Sequence, residues 1–439
     1  MTNLLQNHLA KKQEKNTSVS SQLLAMQVAL DKRKGSFYKF EVSSDSDSEL
    51  SEDDLEQDCI PFRSSPETLQ RAHRSFRDCR PVGLSSTPKA TDTSAAATTT
   101  TTTSASASPP PSCTKEDTGT FLHNQFSQHV AQLSQPYGYH DSRFEEEYEN
   151  LITQNMAAGT PIFVAQTTDT KRRNRYGNIF PLADTAVTLH PTLREGTELT
   201  SSYINANYVD GELSNSSSRC TKYIACQAPK AEFLNEFWIM IWDDNVPVIS
   251  MMTRCQEGDK VKAIPYWIEH GGPVHVNVAS EDRSAEYVKR EIVLTREGTT
   301  EERKVVHVQF LAWPDFSVPS SFETLAMVLE ETARLHASGN GPAVVHCSAG
   351  VGRAMTTISC LITRQKLVAC MSNAHDKVHK TDSAAHWWEE YGCLYDPLDI
   401  KGTVARVRRQ RHGAVVNVGQ YEFIYRFILH YLKNRLITK

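Results

Sequence analysis

No stretch of this 439-residue chain approaches the ~18 consecutive apolar residues of a membrane span. Its opening, MTNLLQNHLAKKQEK, lacks a long apolar region behind a basic one, so no secretory leader is expected. A strong basic excess is missing too: 47 Lys and Arg stand against 52 Asp and Glu, a net charge of -5. That balance argues against a dedicated nucleic-acid binder. The ten Cys show no paired spacing and no C-x2-C, and the H-x3-H pair of His375 and His379 has no second pair to face. Disulfide frameworks and zinc clips are therefore not expected, and no metal site is assigned. Cys226 and Cys360, set in apolar runs, fit reduced thiols in a cytoplasmic compartment.

Aromatics are scarce at one end. All six Trp lie beyond Ala231, and every Tyr except Tyr38 lies beyond Pro136. Residues 1–118 instead read as Ser, Thr, Pro and charge, too poor in apolar side chains to offset the entropy of ordering. The run Thr98 to Thr103 and the triplet Pro109 to Pro111 have the composition of a linker. The acidic run Ser43 to Glu49 would stay solvated. Its Ser-acid pattern suits an acidophilic kinase, and Ser65-Pro66 and Thr87-Pro88 a proline-directed one; a solvated spacer without regulated sites is the alternative. Leu23, Leu24, Met26, Val28 and Leu30 could form a short amphipathic helix that docks a partner, or a transient one of no consequence.

From about Gly119 the texture becomes that of a folded domain of roughly 320 residues. Phe144 to Tyr148 and Phe237 to Trp242 look helical. Strand-like runs follow at Tyr223 to Cys226, Val246 to Met252, Val274 to Val278, Ala285 to Thr295 and Val305 to Phe310. Helices are expected again at Gly402 to Arg411 and Gln420 to Asn434.

The most informative segment is Val345-His346-Cys347-Ser348-Ala349-Gly350-Val351-Gly352-Arg353. An apolar strand, Ala343 to His346, runs into small residues and then a helix near Ala354. In such a turn successive backbone N–H groups can point inward at an oxyanion, and the helix N-terminus adds positive potential. A Cys at the mouth of that nest is favoured as thiolate, and Arg353 can grip two phosphate oxygens with its fork. Bare C-x5-R occurs by chance and a structural Cys at a buried strand end would look similar; the Gly-rich interior and the strand-turn-helix setting favour the functional reading.

His346 to Arg353 resembles the signature of the cysteine-based protein tyrosine phosphatases, here of the tyrosine-specific, non-receptor type. Other motifs follow the family's order. Trp313-Pro314-Asp315-Phe316 resembles its mobile acid loop and Asn174 to Ile179 its phosphotyrosine loop. Tyr203 to Tyr208, Tyr223 to Pro229, Glu257 with Lys262 before Tyr266-Trp267, and Arg408 to Tyr421 are similar to further family segments. The resemblance implies an α/β fold, a large twisted mixed β-sheet flanked by helices, over residues 119–439, with a disordered tail over 1–118. It also implies that Cys347 attacks phosphorus, Asp315 protonates the leaving phenolate, and Arg353 with the amides of Ser348, Ala349, Gly350, Val351 and Gly352 binds phosphate. Tyr176 and Phe316 would sandwich the substrate ring, Asn178 would bond its backbone, and Gln420 would line the pocket. His346, Glu257, Lys262 and Trp313 would support these groups, Glu257 holding Arg353 and Lys262 assisting Asp315. No cofactor is implied. The partners would be phosphotyrosine proteins, and kinases acting on the tail. A turn without basic residues between Cys347 and Arg353 disfavours phosphoinositides.

Two departures from the family pattern fall on the second half-reaction. Ala354 stands where Ser or Thr is usual, and Met355 where Gly is. Counting from Gly413, the water-positioning Gln becomes Val416, while the second Gln is kept as Gln420. Slow hydrolysis of the covalent intermediate is one reading; compensation by Thr356, a water or Asn417 is the other. Met371 to Tyr395 is expected to be an insertion, a surface loop with Trp387 and Trp388 for docking; a metal site at His375 and His379 lacks further ligands. A substrate-trapping pseudo-phosphatase, a dual-specificity phosphatase and a tail-run scaffold stay open as alternatives.

Overall fold

The structure, a computed structural model, describes residues 115–157, 159–189, 201–211, 222–268, 271–314, 317–319, 321–377 and 398–437. Nearly all of the expected tail, with its short helix and kinase sites, lies outside the described residues, as do Asp315, Phe316, His379, His386, Trp387 and Trp388.

Two helices open the fold, α1 (Lys115–Leu133) and α2 (Arg143–Ala157), followed by a short α3 (Thr168–Arg173). Strands β1 (Ala186–Thr188), β2 (Tyr203–Asp210) and β3 (Lys222–Cys226) lead into α4 (Leu234–Asp243) and β4 (Val248–Met251). A small hairpin, β5 (Gln256–Glu257) and β6 (Lys260–Val261), precedes the long strands β7 (Val274–Arg283), β8 (Tyr287–Arg296) and β9 (Glu302–Phe310). Then come α5 (Phe322–Ser338), β10 (Ala343–His346), α6 (Arg353–Lys377), α7 (Ile400–Gln410) and α8 (Val418–Tyr431). The first seven residues of the expected insertion are a continuation of α6.

Eight strands form one mixed sheet in the order β1-β2-β3-β10-β4-β9-β8-β7. The central four, β3, β10, β4 and β9, run parallel, and both flanks are antiparallel. Parallel strands must be covered on both faces, and their sequences show it: Val344 faces one core and Val345 the other. On one face Ala225, Val345, Val248 and Val308 pack beneath α1, α2, α5, α6, α7 and α8. On the other, Ile224, Val344, Ile249 and Ile292 pack against the fully apolar run Phe237 to Trp242 of α4. The sheet thus delivers the C-terminal end of β10, its central strand, to a turn flanked by β3 and β4.

Helix α5 was not evident from the strand-rich reading of its surroundings, yet its signals are local. Ser321 caps it, accepting from the Thr324 N–H, and Leu325, Val328, Leu329 and Thr332 repeat at helical spacing on its buried face.

Several histidines are buried neutral. Burial holds His346 down to about 4 and His307 well below its ordinary value, and it lowers His336 and His412 as well. The unfolded chain takes up these protons below about pH 6.5, whereas the folded chain refuses them. Stability should therefore be complete above that pH and fall as pH drops towards 4. The expected slope is about 1.4 kcal/mol per pH unit for each fully buried ring, His307 and His346. Urea denaturation at pH 7.5 and pH 5 checks this; equal midpoints would show that the rings are charged in the fold.

Candidate active site

Cys347 follows β10 directly, is 4% exposed, and begins the turn that ends at Arg353, the first residue of α6. The Gly350 N–H points at Cys347 Sγ at 3.3 Å. Among the described residues no acceptor takes the N–H of Ser348, Ala349, Val351 or Gly352, so the turn presents donors to an anion at a helix N-terminus. Gly350 makes the geometry attainable. Its φ is +75°, and a Cβ there would sit 2.2 Å from the Cys226 carbonyl oxygen.

What turns the carbonyls away from the pocket is a residue that the motif reading passed over. Arg411 is fully buried, and its guanidinium donates to Gly350 O at 3.3 Å, Ala349 O at 3.2 Å and Asn207 Oδ1 at 2.9 Å. Burial brings Arg411 down to about 10, against the pull of Cys226, Tyr203 and Cys347. It caps the C-terminal end of α7, two residues before Gly413, and nothing in its local sequence sets it apart from a surface cation.

Arg353 is held at two points. Its Nη1 donates to Glu257 Oε1 at 2.5 Å and to the Trp313 carbonyl at 3.0 Å. The second bond ties the guanidinium to the start of the acid loop, and Trp313 Nε1 reaches across the loop to Ser317 O at 2.8 Å. Lys262 is buried, and its carbonyl accepts from Ser348 Oγ at 2.8 Å. Since that hydroxyl proton is committed, Tyr176 Oη donates to Ser348 Oγ at 2.7 Å, placing the Tyr176 ring beside the turn. Asn178 is exposed at the rim.

The remaining motifs act as scaffolding for Tyr176. Gln227 accepts from Arg175 N and donates to Arg173 O, while Arg175 itself reaches the carbonyls of Ala228 and Pro229. Asn205 donates to Asn174 Oδ1 and to Ile179 O, and Tyr203 Oη joins at Asn174. The Ala228 N–H then bonds Ser348 O, locking this frame to the catalytic turn. His346 Nδ1 meets the Cys347 carbonyl at 2.9 Å.

A model described as protein-tyrosine phosphatase matches residues 170–430, well over half of the chain. The chain belongs to the protein-tyrosine phosphatase family. It is 32% identical over 294 residues to receptor-type tyrosine-protein phosphatase F of Danio rerio, covering 65% of this chain and 13% of that one. Tyrosine-protein phosphatase 1 of Caenorhabditis elegans is 30% identical over 276 residues, 62% of this chain and 24% of its own. The chain thus spans a quarter or less of the curated relatives it matches. Among solved structures, the catalytic domain of human protein tyrosine phosphatase non-receptor type 18 is 27% identical with a TM-score of 0.56, covering 72% of this chain and 100% of that one. The same phosphatase in complex with HER2 phospho-peptides aligns with a TM-score of 0.58 at 26% identity, over 71% of this chain and 99% of that one. Relatives include receptor types; among the described residues no helix is long and apolar enough to cross a membrane.

Both departures from the phosphatase pattern sit at the turn. Ala354 is fully buried on the first turn of α6. Thr356 does not replace the missing hydroxyl, because its Oγ1 lies 3.1 Å from Gly352 O and 3.5 Å from Gln420 Oε1. Thr357 bonds Arg353 O instead. Val416 and Gln420 both face Gly352: a Cβ there would come within 3.3 Å of Val416 Cγ2 and 3.2 Å of Gln420 Nε2. Gln420 Oε1 accepts from the Val416 N–H at 3.2 Å, and Asn417 is engaged as the α8 cap, accepting from Gln420 N at 2.9 Å.

Replacing Arg411 with Met should leave two turn carbonyls buried without partners and free them to rotate into the pocket. With bonds to a charged group worth ~1.5–3 kcal/mol each, orthovanadate affinity should fall at least ten-fold. A titration of folded Arg411→Met that matched wild type would show that the carbonyls are held by other means.

Proposed function

We propose that this chain is a protein tyrosine phosphatase that removes phosphate from phosphotyrosine in proteins. The observation that carries the reading is the position of Cys347 Sγ in a turn where, among the described residues, the amides of Ser348, Ala349, Val351 and Gly352 have no protein acceptor, closed by an Arg353 anchored to Glu257. Cys347 attacks phosphorus, the bond to the phenolic oxygen breaks, and Asp315 gives its proton to the departing oxygen. Water then attacks the cysteinyl-phosphate, one of its protons passing to the Asp315 carboxylate as the P–S bond breaks, which releases inorganic phosphate and restores both the thiolate and the acid. Backbone donors and Arg353 neutralise the charge of the transferring group in both steps.

Two further parts of the reading concern the kind of phosphatase. Tyr176 beside the turn, with Phe316 in the role that the resemblance gives it, would stack an aryl ring and so select an aryl phosphate over the shorter phosphoserine. The non-receptor type is favoured by the likeness to the non-receptor type 18 catalytic domain over that chain's whole length. A cytoplasmic setting suits the thiols of Cys226, Cys255, Cys347 and Cys360, which a reducing compartment preserves.

The site is built to form the cysteinyl-phosphate faster than to break it. Ala354 gives no hydroxyl to the departing sulfur, Thr356 is directed elsewhere, and Val416 cannot orient water. Each lost bond to a charged group corresponds to ~1.5–3 kcal/mol, or roughly 10- to 150-fold in rate. In a rapid-quench course with an aryl phosphate near pH 6, the expected result is a burst of phenol equal to the enzyme, then slow release. The double variant Ala354→Ser with Val416→Gln should raise the steady rate at least ten-fold. A course that is linear from the first turnover would overturn the slow second step. A folded wild type that releases no phenol would overturn the catalytic reading itself.

A further inference from the structure

Arg290 on β8 is 1% exposed, and a buried guanidinium must satisfy every donor it carries. Its Nε donates to Glu281 Oε2 of β7 at 2.7 Å, and its plane lies 3.9 Å over the Trp267 ring. Nη1 serves two acceptors, His307 Nδ1 at 3.1 Å and Gln309 Oε1 at 3.2 Å. From His307 a line of buried groups runs inward: Nε2 meets Tyr266 Oη at 2.8 Å, and that hydroxyl meets His346 Nε2 at 2.6 Å. It ends where His346 Nδ1 reaches the Cys347 carbonyl. From Gln309 a second line runs through the Thr253 carbonyl at 3.1 Å, then from Thr253 Oγ1 to Glu257 Oε1 at 2.9 Å, the same oxygen that anchors Arg353. One cation stands at the root of two chains, one ending on the nucleophile's own residue and the other behind the phosphate-binding arginine.

Proton counting sets the direction of the first chain. An arginine only donates and a carbonyl only accepts; between them each neutral imidazole or phenol offers one donor and one acceptor. All four bonds form in a single arrangement: Arg290 to His307 Nδ1, His307 Nε2–H to Tyr266, Tyr266 O–H to His346 Nε2, and His346 Nδ1–H to the Cys347 carbonyl. A proton added to His307 would set an N–H against Arg290. One added to His346 would set an N–H against a hydroxyl that already accepts from His307. Burial keeps both rings neutral and the Tyr266 phenol protonated, which agrees with this counting. The other titratable or charged groups around the line are Glu281 and Arg283 on β7, Cys255 before β5, Cys226 on β3, and Arg175, whose field reaches His346.

We propose that Arg290 is a positioning residue for catalysis, holding His346 in the tautomer that donates to the Cys347 carbonyl while orienting Glu257 behind Arg353. A carbonyl capped by an N–H presents less negative potential to the neighbouring sulfur, so the thiolate is favoured over the thiol. Without Arg290 the ring is free to turn its bare nitrogen on that carbonyl.

The inference rests on Cys347 being the thiolate nucleophile, and one experiment separates the two claims. In the full chain, site-resolved alkylation of Cys347 by iodoacetamide is followed across a pH series for wild type, Tyr266→Phe, Arg290→Met and the double variant. Tyr266→Phe keeps the volume of the side chain and cuts only the first line, so it carries the test if Arg290→Met fails to fold. The rise of reactivity should move to higher pH by about one unit in each single variant, about ten-fold slower alkylation on the acid side. The double variant should move no further than Arg290→Met, because both changes cut one chain. Arg290→Met should also raise KM for an aryl phosphate, through Glu257, where Tyr266→Phe does not. An unmoved profile in folded Tyr266→Phe, or shifts that add in the double variant, overturns the role of Arg290. A wild type whose Cys347 is not alkylated near neutral pH overturns the thiolate reading, and with it this one.

Discussion

Everything at the pocket depends on which way a few carbonyls point. A peptide plane that turns its N–H toward an anion must turn its C=O to the opposite side, and inside a protein that oxygen needs a donor. Arg411 supplies the donors for Ala349 and Gly350, and Lys262 contributes from the other direction by accepting the Ser348 hydroxyl. Gly350 then lies so close to β3 that a side chain would strike the Cys226 carbonyl. The direction of the turn's amides is thus a property of the layer beneath the turn as much as of the turn.

The segment after α7 shows the same economy under strain. Val415 adopts φ +57°, a conformation that β-branched residues avoid. Three bonds hold it there: its N–H to Val351 O at 2.9 Å, and its carbonyl from Tyr148 Oη at 2.6 Å and from Arg408 at 3.1 Å. Helix α2 is thereby tied, through Tyr148 and Val415, to the segment that carries Val416 to Gly352. The strain sits where water would have to be placed.

Much of this was legible in the residues alone. An apolar run ending at Cys347, small residues and a closing Arg353 carry their own chemistry, and the parallel strands announced themselves as short apolar runs. The Arg353–Glu257 pair was implied by the family resemblance of the segment before Tyr266-Trp267. Arg411 and Arg290 were not, because a single arginine near a loop or on a long antiparallel strand looks like any surface cation. Only the fold shows that the sheet's register places Arg290 opposite His307 and that β2 brings Asn207 beneath the turn. Helix α5 was missed for a simpler reason: Ser321 and the Leu325-Val328-Thr332 spacing lie between two signature motifs that dominate the reading.

Helix α6 runs for 25 residues, so it is about 37 Å long at 1.5 Å per residue. Its N-terminus stands beside the Cys347 turn, and its last described residue, Lys377, lies at the opposite end of that rod. Events at the Lys377 end of that rod therefore lie several Debye lengths from the Cys347 turn, where charge is screened and packing strain has many turns of helix to dissipate.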